Sequence, residues 1–234
     1  MTIITLKNKL LKIICYLFVF TFLLYCNMTL TYGTVSTSPK PSFTVVLDAG
    51  HGGVDSGCVG VNTGVTESEI TLKITQKIYG YLSALNINVV QTRTNMDGLY
   101  GAFVSGFKMR DLEKRKQIIQ QSNADLVVSI HLNSFSDKTA HGAQVFYKMD
   151  DSVSKALAQD VQDLFVKNLH KARTTAQKGD FYVLNCTNKP GILIECGFLS
   201  NPEEERLLTT DDYLQKISYN ISVGVLNYFN LIKF

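Results

Sequence analysis

The stretch Thr44-Val45-Val46-Leu47-Asp48-Ala49-Gly50-His51-Gly52-Gly53 reads as a buried strand that runs straight into a glycine-rich loop. Thr44 to Leu47 is a short apolar, β-branched run closed by Asp48. Glycines at 50, 52, 53, 57, 60 and 64 then interrupt any periodicity. Order resumes at Thr66-Glu67-Ser68-Glu69, a capping box with Thr66 as the N-cap and Glu69 as its reciprocal partner. Ile70, Ile74, Ile78, Tyr81 and Leu85 follow at helical spacing and are expected to form the buried face. Strand, loop and helix in that order begin an α/β domain.

The alternation continues along the chain. Ile87–Gln91, Leu126–Ile130, Ala143–Tyr147, Phe181–Leu184 and Ile192–Glu195 read as strands. Arg110–Asn123, Val153–Leu169 and Asp211–Phe229 read as helices. Their expected inward residues are Leu112, Ile118 and Ile119 in the first helix and Val153, Leu157, Val161, Leu164 and Phe165 in the second. In the third they are Leu214, Ile217, Ile221 and Val225. The pattern predicts a single α/β domain with a central, mostly parallel or mixed sheet flanked by helices. In such sheets ligands bind beyond the carboxyl ends of the strands. Asp48 to His51, His131 in Ser129-Ile130-His131-Leu132-Asn133, and Glu195 in Gly191-Ile192-Leu193-Ile194-Glu195 all fall at such ends.

Glu195 closes an apolar strand, where an unpaired carboxylate costs several kcal/mol. His51 lies between glycines that let the backbone approach closely, and His131 leads from an apolar strand into polar residues. Glu67 opens a helix, where the helix dipole alone would favour it; because Glu69 already fills the capping role, Glu67 is free to face the loop near His51. Two histidines, a carboxylate and a second, separate carboxylate are the parts of a zinc hydrolase, with His51, Glu67 and His131 as candidate ligands, water in the fourth position, and Glu195 as the candidate general base. Burial raises the pKa of Glu195, and a zinc ion opposes that rise. His141 and His170 read as a polar-loop residue and a helix-end residue, and neither is assigned to metal. The glycine-rich loop lacks Gly-Lys-Ser/Thr and GxGxxG, which argues against a nucleotide site.

The chain has 234 residues, 45% of them hydrophobic, and a net charge of +3. That is enough apolar residue for one sizeable core, and no basic stripe with interleaved aromatics points to nucleic acid. Lys7, Lys9 and Lys12 precede an apolar run from Ile13 to Cys26, the order of an export signal. The run is short for a bilayer span of ~20 residues, yet it can be extended to Tyr32 as an uncleaved anchor. Residues 1–33 are therefore expected to be a signal peptide or N-terminal membrane anchor, residues 34–42 a Thr/Ser/Pro-rich linker, and residues 43–234 the catalytic domain on the outer side of a membrane. Cys58, Cys186 and Cys196 lie outside the export segment; this odd number reads as free thiols rather than a disulfide framework.

Four motifs resemble those of the zinc-dependent N-acetylmuramoyl-L-alanine amidases of bacterial cell walls (Amidase_3). Val46-Leu47-Asp48-Ala49-Gly50-His51-Gly52-Gly53 and Ser129-Ile130-His131-Leu132-Asn133-Ser134 look like the two histidine motifs. Thr66-Glu67-Ser68-Glu69-Ile70 resembles the stretch supplying the ligand glutamate. Leu193 to Pro202 resembles the block bearing the catalytic one, Glu195. The resemblance spans about Phe43 to Phe229 and implies a six-stranded sheet, one Zn2+, and cleavage of the amide between N-acetylmuramic acid and L-alanine in peptidoglycan. Asp48, Asn133 and Arg93 are candidates for contacting substrate or supporting the ligands; Thr92, Arg93 and Arg115 fall where the family has similar elements. Two departures stand out: Ser68 where lysine is usual, and Cys196 where threonine is common. The short step from Tyr147 to Ser152 leaves little room for a self-inhibiting insertion. An export segment, a tether and one catalytic domain, without wall-binding repeats, is a layout similar to the family's sporulation amidases. Those trim stem peptides from spore cortex so that muramic-δ-lactam forms, alongside a separate deacetylase. A lone domain of this kind is expected to rely on an accessory protein at the membrane surface. Two other readings stay open: a cell-wall zinc peptidase using Arg93 or Arg115 to bind a terminal carboxylate, and a non-catalytic peptidoglycan-binding module.

Overall fold

The structure is a computed structural model that describes residues 3–32 and 43–232. Two compact units make it up, divided near Lys40. The first holds α1 (Ile3–Tyr32). Among the described residues no helix is long and apolar enough to cross a membrane. The expected linker at 34–42 lies outside the described residues.

The second unit is built from β1 (Thr44–Ala49), α2 (Glu67–Ala84), β2 (Asn88–Gln91), α3 (Phe107–Gln121), β3 (Leu126–Asn133), β4 (Gln144–Lys148), α4 (Ser152–Asn168), β5 (Gln177–Gly179), α5 (Tyr182–Asn185), β6 (Gly191–Phe198), α6 (Pro202–Leu208) and α7 (Asp211–Tyr228). The six strands form one sheet in the order β2-β1-β3-β6-β4-β5. All neighbours are parallel except β4 and β6, which run antiparallel. This is the α/β class with a mixed sheet that the alternation predicts.

Side chains alternate across the sheet. Val45, Leu47, Val128, Ile192 and Ile194 face a large core closed by α2, α4 and α7. Val46, Val127 and Leu193 face a thinner one with Ile119, Val183 and Leu184 from the α3 and α5 side. Each fully buried Leu or Ile contributes roughly 1.5–3 kcal/mol. The α2/α4/α7 layer therefore carries most of the stability, and the thinner face has room for a cleft.

Several local expectations are corrected. Phe181–Leu184 is not a strand: Val183 and Leu184 are buried in succession, which a strand with one inward face does not allow. The backbone closes α5 instead through Asn185 N–H to Phe181 O and Cys186 N–H to Tyr182 O, at 3.0 and 2.9 Å. The strand in this region is β5, three mostly exposed residues earlier in the chain. On α2 the inward position is Leu82; Leu85 is exposed and Tyr81 meets Tyr219 edge to face. On α4, Val153 is exposed and Leu164 half-buried, while Ser154, Ala158 and Gln162 take inward positions. Helix α3 starts at Phe107 rather than Arg110, and its buried residues are Asp111, Arg115 and Ile119. Leu112 and Ile118 are half-buried. The cysteines at 58, 186 and 196 are free.

Candidate active site

The glycine-rich turn after β1 is held open by two buried arginines. Arg115 donates to Asp48 Oδ1 (2.7 Å), Ala49 O (2.6 Å), His51 O (2.5 Å) and Asp111 Oδ2 (2.6 Å). Arg93 donates to Ala49 O (3.0 Å), Gly50 O (2.9 Å), Ser68 O (2.7 Å) and Asn95 O (2.9 Å). Together they occupy the carbonyls of three successive residues, 49 to 51, and tie the turn to the start of α2. His51 accordingly adopts φ 61°, a left-handed conformation that costs a β-carbon residue about 1–3 kcal/mol and persists only where the surroundings impose it. Asp48 also accepts from Thr92 and Ser129. Burial raises its pKa, but Arg115, Ser129 and His131 outweigh that and hold it at about 2. Asp48 and Arg93, both buried, thus brace the turn from behind. Asn133 sits where the β3–β6 register shifts; its side chain accepts from Ser134 N–H.

Three side chains converge at the strand ends. His51 Nε2 lies 3.2 Å and His131 Nδ1 3.0 Å from Glu67 Oε1. Glu67 is fixed by the backbone N–H groups of Leu132 (3.0 Å, to Oε1) and Cys58 (2.9 Å, to Oε2). Two glycines make the approach possible. A Cβ on Gly50 would lie 2.4 Å from His131 Cε1, and one on Gly57 2.4 Å from Glu67 Oε2. Burial raises the pKa of Glu67, yet hydrogen bonds from His131 and His51 push it well below the usual carboxylate range. Burial lowers the pKa of His51, and Glu67 with Asp55 reverse this to a net rise.

The cluster fits a divalent cation. One ligand atom from each of His51, Glu67 and His131 lies within 4.8 Å of the others. Tetrahedral zinc with bonds of ~2.1 Å separates its ligands by about 3.4 Å, close to the contacts found. Three donors crowd a single carboxylate oxygen, and His51 can serve both Glu67 and Asp55 as a donor only as an imidazolium. A cation in place of those protons leaves both rings neutral, the form that binds metal.

Glu195 stands directly across from His131 in the parallel β3–β6 pair. Its Oε2 is buried without a hydrogen-bond partner among the described residues. Burial is the main cause that pushes its pKa up to about 7; His131 and His51 oppose the rise and Glu67 adds to it. A folded pKa of about 7 against an ordinary 4.5 means that the folded chain holds this proton more tightly than the unfolded chain. In metal-free protein the stabilisation is complete below the unfolded value and is lost as pH rises through the folded one, amounting to about 3 kcal/mol. Urea titrations of metal-free wild type at pH 5 and pH 8 should show that loss, and Glu195→Gln should remove most of it.

His51, His131 and Glu195 open on a cleft of ≈ 290 Å³. Lys108, Leu112 and Arg115 of α3 form one wall, and Phe181, Tyr182 and Val183 the other. A larger groove of ≈ 530 Å³ around Gln120, Cys186 and Lys189 contains no metal-ligating cluster among the described residues. His141 turns to Thr139 O, and His170 pairs with Glu203, both away from the cluster.

Sequence reasoning missed Asp55. Its Oδ2 lies 3.0 Å from His51 Nδ1 and its Oδ1 3.1 Å from Lys108 Nζ. It accepts the Nδ1 proton and so points Nε2 of His51 at Glu67. An acid four residues beyond the histidine in a tight glycine loop was the available signal. Loss of such an outer partner costs roughly 10–100-fold in metal affinity. Asp55→Ala should therefore weaken zinc binding by that factor in a chelator competition, while Asp55→Asn, which can still accept from Nδ1, should lose less.

A mixed α/β sheet that sets a His-Glu-His cluster able to hold a divalent cation beside a buried acid at its carboxyl edge has the parts of a hydrolase. Residues 45–227 match the N-acetylmuramoyl-L-alanine amidase family (Amidase_3), and the chain belongs to it. It is an enzyme of that activity, acting on peptidoglycan. The germination-specific N-acetylmuramoyl-L-alanine amidase of Bacillus subtilis (strain 168) is 35% identical over 195 residues, covering 82% of this chain and 81% of that protein. The AmiA amidase of Escherichia coli (strain K12) is 31% identical over 232 residues, covering 80% and 76% respectively. Among solved structures, the CwlD amidase of Clostridioides difficile, in complex with the GerS lipoprotein, superposes with a TM-score of 0.77 at 36% identity, over 82% of this chain and 100% of that one.

Proposed function

We propose that the chain is a zinc-dependent amidase that cleaves the N-acetylmuramic acid–L-alanine bond of spore-cortex peptidoglycan. One observation carries the mechanism: His51 Nε2, Glu67 Oε1 and His131 Nδ1 converge beside a buried carboxylate, Glu195, that has no hydrogen-bond partner among the described residues. His51, Glu67 and His131 would hold a zinc ion, which would supply a Lewis acid for the amide carbonyl and a water of lowered pKa. Glu195 accepts the proton of the attacking water and returns it to the alanine nitrogen as the C–N bond breaks. Its ordinary pKa would make it too weak a base at neutral pH; burial corrects this.

The cortex assignment is supported by the similarity to a germination-specific amidase and to CwlD. The lysines at 7, 9 and 12 and the apolar run after them support export, so residues 1–33 act as signal or anchor, 34–42 as tether and 43–234 as the working domain. The lipoprotein bound to the CwlD relative supports an accessory partner at the membrane surface. The test is digestion of purified cortex and vegetative peptidoglycan, with and without chelator, read by mass spectrometry. Stem peptides with a free N-terminal alanine, lost on chelation and restored by zinc, are expected. Turnover untouched by chelator would sink the zinc role, and stepwise loss of single residues would favour a peptidase.

A further inference from the structure

We propose that Lys108 is a specificity-determining residue that binds a free carboxylate on the peptide released by the reaction. The inference rests on the amidase reading of the same cleft. Two cations line that cleft, Lys108 and Arg115. Arg115 is buried and has four of its five N–H donors on Asp48, Asp111 and two backbone carbonyls, so it is a poor partner for a second anion. The Lys108 side chain is 67% exposed and makes one ion pair, to Asp55 at 3.1 Å. An ammonium has three donors, so it can keep Asp55 and still receive a second carboxylate. Its placement suits the substrate. Asp55 bridges the ammonium and the His51 ring through contacts of 3.1 and 3.0 Å. A peptide whose N-terminal nitrogen, in the scissile amide, lies at His51 and His131 extends by about 3.5 Å per residue, so a carboxylate within its first few residues can reach Lys108. The carboxyl group of the muramic acid is itself in the scissile amide, which leaves the peptide as the source of the anion.

The test compares zinc-loaded wild type, Lys108→Met and Lys108→Arg on muramoyl peptides with free or amidated carboxylates. Separate amidation of an internal and of the C-terminal carboxylate identifies which of the two is bound. The wild type should prefer the free acid by about fivefold in kcat/KM, expressed in KM, as expected for a charge pair partly in water. In Lys108→Met the preference should fall to one, and Lys108→Arg should restore it. Equal preference in wild type and Lys108→Met, with cleavage intact, overturns the proposal alone. So does a drop in zinc content with kcat reduced equally on all substrates, which would make Lys108 a support for Asp55. Failure of the wild type to cleave any of them would overturn the amidase reading together with the proposal.

Discussion

Glu195→Gln should lower kcat by about 10²–10⁴-fold, the range spanned by a lost general acid–base group, with KM little changed. The side chain stays the same size, so the strand pairing of β6 with β3 and β4 and the packing around Leu193 and Ile194 are preserved. What disappears is a site able to take a proton from water. Zinc content, measured by elemental analysis, should match wild type, because His51, Glu67 and His131 are untouched. Loss of metal in this variant would make Glu195 a ligand instead of the base. The pH profile gives a second readout. In wild type, kcat/KM should rise as Glu195 ionises, with the acid limb at or below about 7, since a nearby cation favours the charged form. The variant should lose that limb. If it keeps the limb, the titrating group is another one.

Much of the fold was readable because its strands are apolar and its helices amphipathic. Thr44–Leu47, Leu126–Ile130 and Ile192–Glu195 lie in the neighbouring strands β1, β3 and β6, buried on both faces, and each announces itself by a mostly apolar run. The four residues picked for chemistry were legible for the complementary reason. Polar groups that end apolar strands, or that sit in a first helical turn already capped by another residue, have no evident structural task. The structure brings His51, Glu67 and His131 within contact and sets Glu195 across from His131.

The rest was hidden where burial is polar. Helix α3 offers an apolar edge in sequence but turns Asp111 and Arg115 inward, because the carbonyls of the β1 turn need donors there. The run Glu203-Glu204-Glu205 carries no apolar spacing to mark it as buried. In the fold Glu204 accepts from Gly142 and Phe198 N–H, and Glu205 from Asn62 and Thr63, binding two rim loops to α6. Helix α6 itself had a signal in Asn201-Pro202, an N-cap followed by proline at the first helical position. Strand β5 had none: Gln177-Lys178-Gly179 is polar and lies on the sheet edge, so no burial pattern marks it.

His131→Ala should weaken zinc binding severely and abolish turnover. The proposed site has three protein ligands, and losing one should reduce affinity by well over the roughly 10–100-fold that an outer partner such as Asp55 is worth. The imidazole also packs on the backbone of Gly50, where no β-carbon fits, so its removal leaves a void against the turn that carries His51. Glu67 then loses one of the donors that depress its pKa and lies closer to Glu195 in charge balance, which raises the proton affinity of both carboxylates. Chelator competition would report the weakened binding, and peptidoglycan digestion at saturating zinc would report whether activity returns. Recovery of near-wild-type turnover at high zinc would mean that two ligands suffice and that His131 mainly orders the site. Wild-type affinity in the variant would remove His131 from the metal cluster altogether. The expected outcome lies between these results: weak, saturable zinc binding without turnover, because the metal no longer shares a fixed geometry with the carboxylate across the β3–β6 pair.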